Sequence, residues 1–339
     1  MKGILMAMVS VKDVALRAGV SVGTVSNVMN FPEKVSPKSI ARVQSAIDEL
    51  GFIRNDAARQ LRQGRSTTIG LVVLDVRNPF FADVARGSEV RAASAGLSVL
   101  LANSDESVGR EATYLDLFEQ QRVRGVLISP IADITGRLGM LRARGIPAVL
   151  VDRAAADASF SSVSVDDVAG GRMAADHLIA IGRSRLAYLG GPLKLRQAAD
   201  RLEGARQAVA AHPGVTLEVV ELDALSVFAG RAAGAVIAAR AERPDGIFAA
   251  NDLVAIGVLQ ALMPGTGTTV PVDIALIGYD DIDFASSAVV PLSSIRQPSA
   301  LIGQTAVDIL LEEAADPTIT PRQVQFQPEL VVRASTATS

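Results

Sequence analysis

Residues 11–30 read VKDVALRAGVSVGTVSNVMN, and their spacing decides what kind of unit opens the chain. Ser10 and Asp13 make a capping pair, and Val11, Val14, Ala15 and Ala18 fall at i, i+3, i+4 and i+7, the spacing of one buried helix face. Gly19 stops this helix. Ser21 is placed to cap a second one over residues 22–29, with Val25 and Met29 turned inward. Two short helices joined by a turn containing Gly are the helix-turn-helix layout. A third helix opens with Ser36 and Pro37, carries Ile40, Val43, Ile47 and Leu50 on one face, and ends at Gly51. This arrangement predicts a small all-α head whose second helix presents Val22, Gly23, Ser26 and Asn27 outward. Asn27 can pair with an adenine edge and Val22 can touch a thymine methyl in a DNA major groove. Plain solvent-facing positions would carry the same residue types.

Charge is unevenly divided. Residues 1–66 hold ten Lys and Arg against five Asp and Glu, which leaves 23 basic and 31 acidic residues for the remainder of a chain whose net charge is −3. A basic head on an acidic body suits a polyanion-binding module joined to something that does not bind polyanions, although a merely solvated basic face gives the same count. The 339 residues are 49% hydrophobic and 20% charged, which fits a folded chain of two or three domains at about 150 residues each. With no cysteine, disulfides, thiolate metal sites and cysteine nucleophiles are excluded. His177 has no partner ligand at i+3 or i+4 and reads as a helix-packing residue, and His212 before Pro213 reads as a loop residue. No metal and no cofactor is therefore expected. The opening MKGILMAMVS lacks the apolar core of a signal peptide, and no run of about 18 apolar residues follows, so a cytoplasmic protein without a membrane span is expected. Met6 and Met8 serve equally well as starts.

From residue 67 onward, Val-, Ile- and Leu-rich runs recur between helical stretches: IGLVVL, LSVLLA, GVLIS, AVLV, LAYLG, GIFAA and IALIG, beginning at Ile69, Leu97, Gly125, Ala148, Leu186, Gly246 and Ile274. Fully buried parallel strands read this way, and the alternation predicts an α/β body of two doubly wound parallel sheets. Polar groups follow the runs: Asn78 with Phe80 and Phe81, Asn103, Asp152 with Arg153, Asn251 with Asp252, and Asp280. In open α/β sheets ligands bind beyond the carboxyl ends of the strands, so these residues line up as one candidate site for a hydroxyl-rich molecule. Asn and Asp after a strand also cap the next helix, and spacing leaves both readings open. A Rossmann enzyme would carry G-x-G-x-x-G after its first strand. Here the sequence is LDVRNPFF, and no Ser/His/Asp or metal constellation accompanies the Gly190-Gly191-Pro192 turn, so no enzyme is expected.

Between head and body, Asn55 can cap a helix over residues 56–62, far below the roughly 12 to 15 residues an isolated helix needs in water.

VKDVALRAGVSVGTVSNVMN (residues 11–30) and LGFIRNDAARQLRQGRS (residues 50–66) together resemble the head and hinge of the LacI family of ligand-responsive transcriptional regulators, and the resemblance runs over nearly the whole chain. It implies a helix-turn-helix domain at 1–54, a hinge helix and linker at 55–66, and a periplasmic-binding-protein-like effector domain at 67–335. That domain would be split into one subdomain at about 67–165 and 297–321 and another at about 166–296 and 322–335. It places Ser21, Val22, Gly23, Thr24 and Asn27 at double-stranded operator DNA, expected to be palindromic. Asn55, Ala58 and Leu61 would lie in a paired hinge, where Leu61 wedges a base step apart. It places Phe80, Phe81, Asp152, Arg153, Arg201 in DRLEG, Asn251 in FAANDLVAIG, Asp280 in IGYDD and Gln297 before Pro298 around a sugar, nucleoside-like or related polyol effector. Departures are the small Val22 and Gly23, Asn27 where arginine is frequent, Arg54 where proline is common, and Leu225 in place of a stacking aromatic. A homodimer is expected, since no heptads precede the terminal ASTATS. Repression is the family's usual mode, with the sign of the effector's action open. The alternative is a solute-binding protein with the same body, against which the basic amphipathic head and the missing export signal both argue.

Overall fold

The computed structural model describes residues 9–52, 66–262 and 267–337. The chain divides into two units, Met1–Arg65 and Ser66–Ser339.

In the first unit α1 (Val11–Ala18) starts on a reciprocal cap, in which Ser10 N donates to Asp13 Oδ2 at 2.8 Å while Asp13 N reaches back to Ser10 Oγ. Gly19 ends it in the left-handed region at φ 63°, and Arg42 Nη2 donates to its carbonyl at 3.1 Å. Ser21 caps α2 (Val22–Asn30), a 3₁₀ turn follows at Pro32–Lys34, and Ser36 caps α3 (Pro37–Leu50). Val14, Val25, Val28, Val43 and Phe52 fill the shared core. Val28 takes the buried place expected for Met29, which joins Ile40, Ile47 and Leu50 as half-buried cover. So small a unit has too little interior to bury all of them.

The second unit holds two six-stranded sheets of like order. The first runs β11-β5-β4-β3-β1-β2, built from β1 (Thr68–Val73), β2 (Ser98–Asn103), β3 (Val126–Ile128), β4 (Ala148–Val151), β5 (Ser161–Val165) and β11 (Gln323–Phe326). The second runs β12-β10-β9-β8-β6-β7, from β6 (Arg185–Gly190), β7 (Thr216–Glu221), β8 (Gly246–Ala249), β9 (Ala275–Asp280), β10 (Ser293–Arg296) and β12 (Glu329–Val331). All pairs are parallel except β10 with β12. Helices cover the sheets: α4 (Pro79–Ser94), α5 (Val108–Gln120), α6 (Thr135–Ala143) and α12 (Ser299–Ala315) on the first, and α7 (Asp167–Ala180), α8 (Arg196–Ala210), α9 (Val227–Ala238), α10 (Asp252–Leu262) and the short α11 (Asp283–Ser287) on the second. All seven apolar runs read from the sequence are strands. One boundary moves: β11 pairs with β5, so residues 322–326 belong to the first subdomain and the last crossing falls after Phe326. Gln323-Val324-Gln325-Phe326 alternates as a half-exposed edge strand does, which gives it no buried-run signature.

α7 and α8 are pressed together through two glycines. A Cβ on Gly171 would overlap the Arg201 carbonyl, and one on Gly204 would overlap that of Val168. This contact sets where Arg201 stands. Gly204→Ala is expected to lower stability by about 1–3 kcal/mol through overpacking, read from the urea midpoint, and an unchanged midpoint counts against the contact.

Candidate functional site

On the head, Ser21 Oγ accepts from Thr24 N at 3.0 Å and lies 2.9 Å from Thr24 Oγ1, which fixes both hydroxyls at the start of α2. Val22 is 44% exposed, Gly23 and Asn27 are exposed, and Thr24 is half-buried. These five residues therefore share the N-terminal part of one helix, with three of its outward positions open. Asn55, Ala58 and Leu61 lie outside the described residues.

In the body, a cavity lies between the carboxyl ends of the two sheets, with about 470 Å³ of space once the part open to solvent is included. One wall is apolar. Phe80 and Phe81, in the first turn of α4, meet edge to face with centroids 5.1 Å apart, and Leu74, Leu195 and Leu225 complete the surface. Opposite stands Arg201, only 4% exposed, whose Nε donates to Asp167 Oδ1 at 2.8 Å and whose Nη1 donates to the Ala250 carbonyl at 2.7 Å. Nη1 is also 3.7 Å from Asp280 Oδ1, and the guanidinium lies 3.7 Å from the centre of the Tyr279 ring. Asp280 accepts from Asn78 Nδ2 at 2.9 Å, from across the cleft, and from Gln297 Nε2 at 2.8 Å. Asp152 accepts from Gln197 Nε2 at 2.9 Å through Oδ2, while its buried Oδ1 and the buried Gln297 Oε1 have no partner.

Two carboxylates of the lining, Asp152 at φ 58° and Asp280 at φ 101°, have left-handed backbones. Such residues cost on the order of 1–3 kcal/mol and persist where surrounding structure holds them. The Asp280 turn is held in this way: Arg296 and Arg333 both bond Asp281, and Asp252 accepts from Ile282 N at 2.9 Å. Burial pushes the Asp152 carboxyl well above the usual carboxylate range, and the neighbouring Asp167 adds to this against the pull of Arg201. Burial likewise raises Asp280 and Asp167, each opposed by Arg201. Burial alone would lower Arg201, but Asp167 and Asp280 outweigh it, and the guanidinium stays charged. Among the described residues no group of three or more His, Cys, Asp and Glu side chains is arranged to hold a metal ion.

Residues 10–55 match the family model for bacterial regulatory proteins of the lacI family, and residues 175–336 match that for a periplasmic binding protein-like domain. A ribose operon repressor of Escherichia coli K12 is 35% identical over 97% of this chain and 100% of its own length. The chain belongs to the LacI family. Among solved structures, a lac repressor dimer bound to operator and an anti-inducer superposes with TM-score 0.84 at 30% identity, covering 98% of this chain and 100% of that one. A LacI family regulator from Enterococcus faecalis V583 with bound ribose gives 0.72 at 31% identity, covering 80% and 98%.

Within this LacI-family body, Phe80, Phe81, Asp152, Arg201, Asn251 and Asp280 all line the cavity. Gln297 reaches it only through Asp280. Arg153 does not face this space: its Nη1 donates to the Ala132 carbonyl at 2.9 Å, and the side chain lines an adjoining space instead. Asn103 also stays out, with Oδ1 accepting from Val76 N at 3.3 Å. The two readings of Asn after a strand turn out to be compatible. Asn78 and Asn251 each cap a helix with Oδ1, accepting from Phe80 N and Val254 N, which leaves their amide nitrogens for other contacts. His177 bonds Thr336 Oγ1 at 2.7 Å and His212 bonds the Ala208 carbonyl at 2.8 Å, so both are taken up in packing. Sequence reasoning missed Gln197 and Asp167. Gln197 stands four residues before Arg201 on α8, and that spacing puts two side chains on one helix face.

Because the folded-state value of Asp152 lies above its unfolded one, the folded chain holds more protons there, and stability falls as pH rises from the ordinary carboxylate range upward. Asp152→Asn removes that loss. The variant is expected to gain thermal stability over the wild type, by more at pH 8 than at pH 5, and a difference independent of pH would contradict the assignment.

Proposed function

We propose that the protein is a sugar-responsive repressor that binds a palindromic operator as a homodimer. The observation that carries the effector reading is the cavity itself. One face is aromatic and apolar, suited to the C–H side of a sugar ring, and the rim offers acceptors at Asp152 and Asp280 beside donors on Arg201 and Asn251. A site made of such directional bonds rejects ligands lacking the matching hydroxyls, because its buried polar groups would then be unpaired. Ribose in the name of one relative and in the bound structure of another supports a pentose-sized ligand. The head reads DNA with Asn27 and Val22 while Ser21 and Thr24 approach phosphates. Phe228, Phe284 and Val289 remain largely exposed on the second subdomain and Leu100 and Leu101 on the first, which fits a second copy covering them.

Regulation follows from where the residues that hold the cavity's charged groups sit on the crossings between subdomains. Asp167, which holds Arg201, opens the helix after the first crossing, and Gln297, which holds Asp280, lies on the second. A ligand gripping Arg201 and Asp280 therefore biases the angle between subdomains, with a coupling to operator affinity of roughly 1 to 3 kcal/mol.

Two measurements test this reading. D-Ribose and other monosaccharides are expected to raise the melting temperature of the full chain, since a ligand of the folded state alone must stabilise it, and the rise should vanish in Asp280→Asn. No shift with any sugar would defeat the effector assignment. Asn27→Ala should weaken binding to an operator selected from random duplexes by about 1–3 kcal/mol at fixed salt while leaving the sugar response intact. Equal affinity of the two proteins would remove Asn27 from the reading surface.

A further inference from the structure

Beyond Asp152 the cleft continues into a second, solvent-open space of about 820 Å³ with the open part included, lined by Arg153, Arg196, Asp166, Asp200 and Gln325. Among the described residues, Asp152 and Gln197 alone line both this space and the inner cavity. They are bonded to each other: Gln197 Nε2 donates to the Asp152 carbonyl at 2.8 Å and to its Oδ2 at 2.9 Å. Gln197 is 6% exposed and comes from the first turn of α8 in the second subdomain, whereas Asp152 directly follows β4 in the first. The partition between the two spaces is thus a single carboxamide laid across the cleft and fastened at both its contacts to one residue.

We infer that Gln197 is the size filter of the effector site, holding it to a single sugar ring by closing off a polar annex that would otherwise take a second ring or an aglycone. The inference rests on the sugar reading above. The annex suits such an extension, because Arg153 and Arg196 supply donors, Asp166 and Asp200 supply acceptors, and Ala154 to Ala156 give a small-residue floor. A substituent leaving the ring toward Asp152 meets the Gln197 side chain at the partition. Truncating that side chain to a methyl joins the two spaces and strips Asp152 of the donor on Oδ2, so binding of a lone ring should weaken while binding of a substituted one improves.

Full-length wild type, Gln197→Ala and Gln197→Met are compared by calorimetry and thermal shift with D-ribose, D-glucose and D-galactose and with the α- and β-phenyl glycosides of each. Wild type is expected to bind at least one free sugar and to bind its phenyl glycosides at least tenfold more weakly. In Gln197→Ala one glycoside should gain tenfold or more while the free sugar loses about three- to tenfold. Gln197→Met, which keeps the bulk and loses the hydrogen bonds, should still exclude the glycosides. If Gln197→Ala binds the free sugar and gains no glycoside, or if wild type already accepts the glycosides equally, the filter is overturned while the sugar reading stands. If no protein responds to any free sugar or glycoside, the sugar reading fails and the filter with it.

Discussion

The body is organised around one buried guanidinium. Arg201 sits among Asp152, Asp167 and Asp280 with almost no exposure, so the site buries more negative than positive charge. Removing one partner of such a pair typically costs 3–5 kcal/mol, because a charge is then left uncompensated in a medium that solvates it poorly. Every neighbouring feature follows from keeping Arg201 in place. Gly171 and Gly204 let α8 approach α7 closely, and the Gly170 position leaves room for the Tyr279 ring on which the guanidinium stacks. Burial raises the acid groups first, with the excess of carboxylate over guanidinium adding to it at Asp152, and acceptor capacity such as Asp152 Oδ1 is left without a partner among the described residues.

The site also shows how an α/β body draws two uses from one residue. A carboxamide has an acceptor and two donors, so Asn78 and Asn251 satisfy a buried helix start with oxygen while their nitrogens donate to Asp280 and to the Leu225 carbonyl. An aspartate in either place could cap equally well but would present only acceptors. The carboxylates instead occupy Asp152 and Asp280, where a left-handed backbone lifts the side chain out of the strand direction and into the space between the sheets. The strain at Asp280 is offset by the network around Asp281 and Asp252, which makes those residues structural supports for it.

Much of this was legible from the sequence because it rests on patterns that burial imposes. Seven Val-, Ile- and Leu-rich runs became strands of two parallel sheets, and the Ser10, Ser21 and Ser36 caps of the head stand where spacing put them. The strands that escaped notice are of two kinds. β7, β11 and β12 are edge strands with an exposed side and no apolar run. β5 and β10 are buried but serine-rich, and their hydroxyls are satisfied by partners far away in sequence: Ser161 by Glu313 and Arg322, Ser294 by Asp252. Hydropathy cannot announce a buried serine whose partner lies 152 residues away. Arg153 stands at the adjoining space rather than the inner cavity, which a chain position beside Asp152 does not foretell. Gln197 carried a signal in its spacing from Arg201, but only with the helix already in hand.

The division of charge along the chain has a mechanical consequence. The net positive charge is concentrated in the small first unit, whereas the cavity of the body is lined by Asp75, Glu106, Asp152 and Asp280 against Arg201, so the charge suited to a polyanion and the cavity lie in different parts of the chain. In the proposed function, communication between them is therefore geometric rather than electrostatic. The crossings between subdomains are the only covalent paths by which one sheet can feel the other, and two of them run beside residues that hold Arg201 and Asp280. Asp166 N also donates to the Phe326 carbonyl at 3.0 Å, which ties the first crossing to the third, so a change of angle cannot be absorbed by one strand of chain alone. A ligand that replaces the bonds now made by Asn78 and Gln197 across the cleft changes which subdomain holds each carboxylate. It is the difference between those two sets of bonds, and not the total affinity, that sets how far the equilibrium moves.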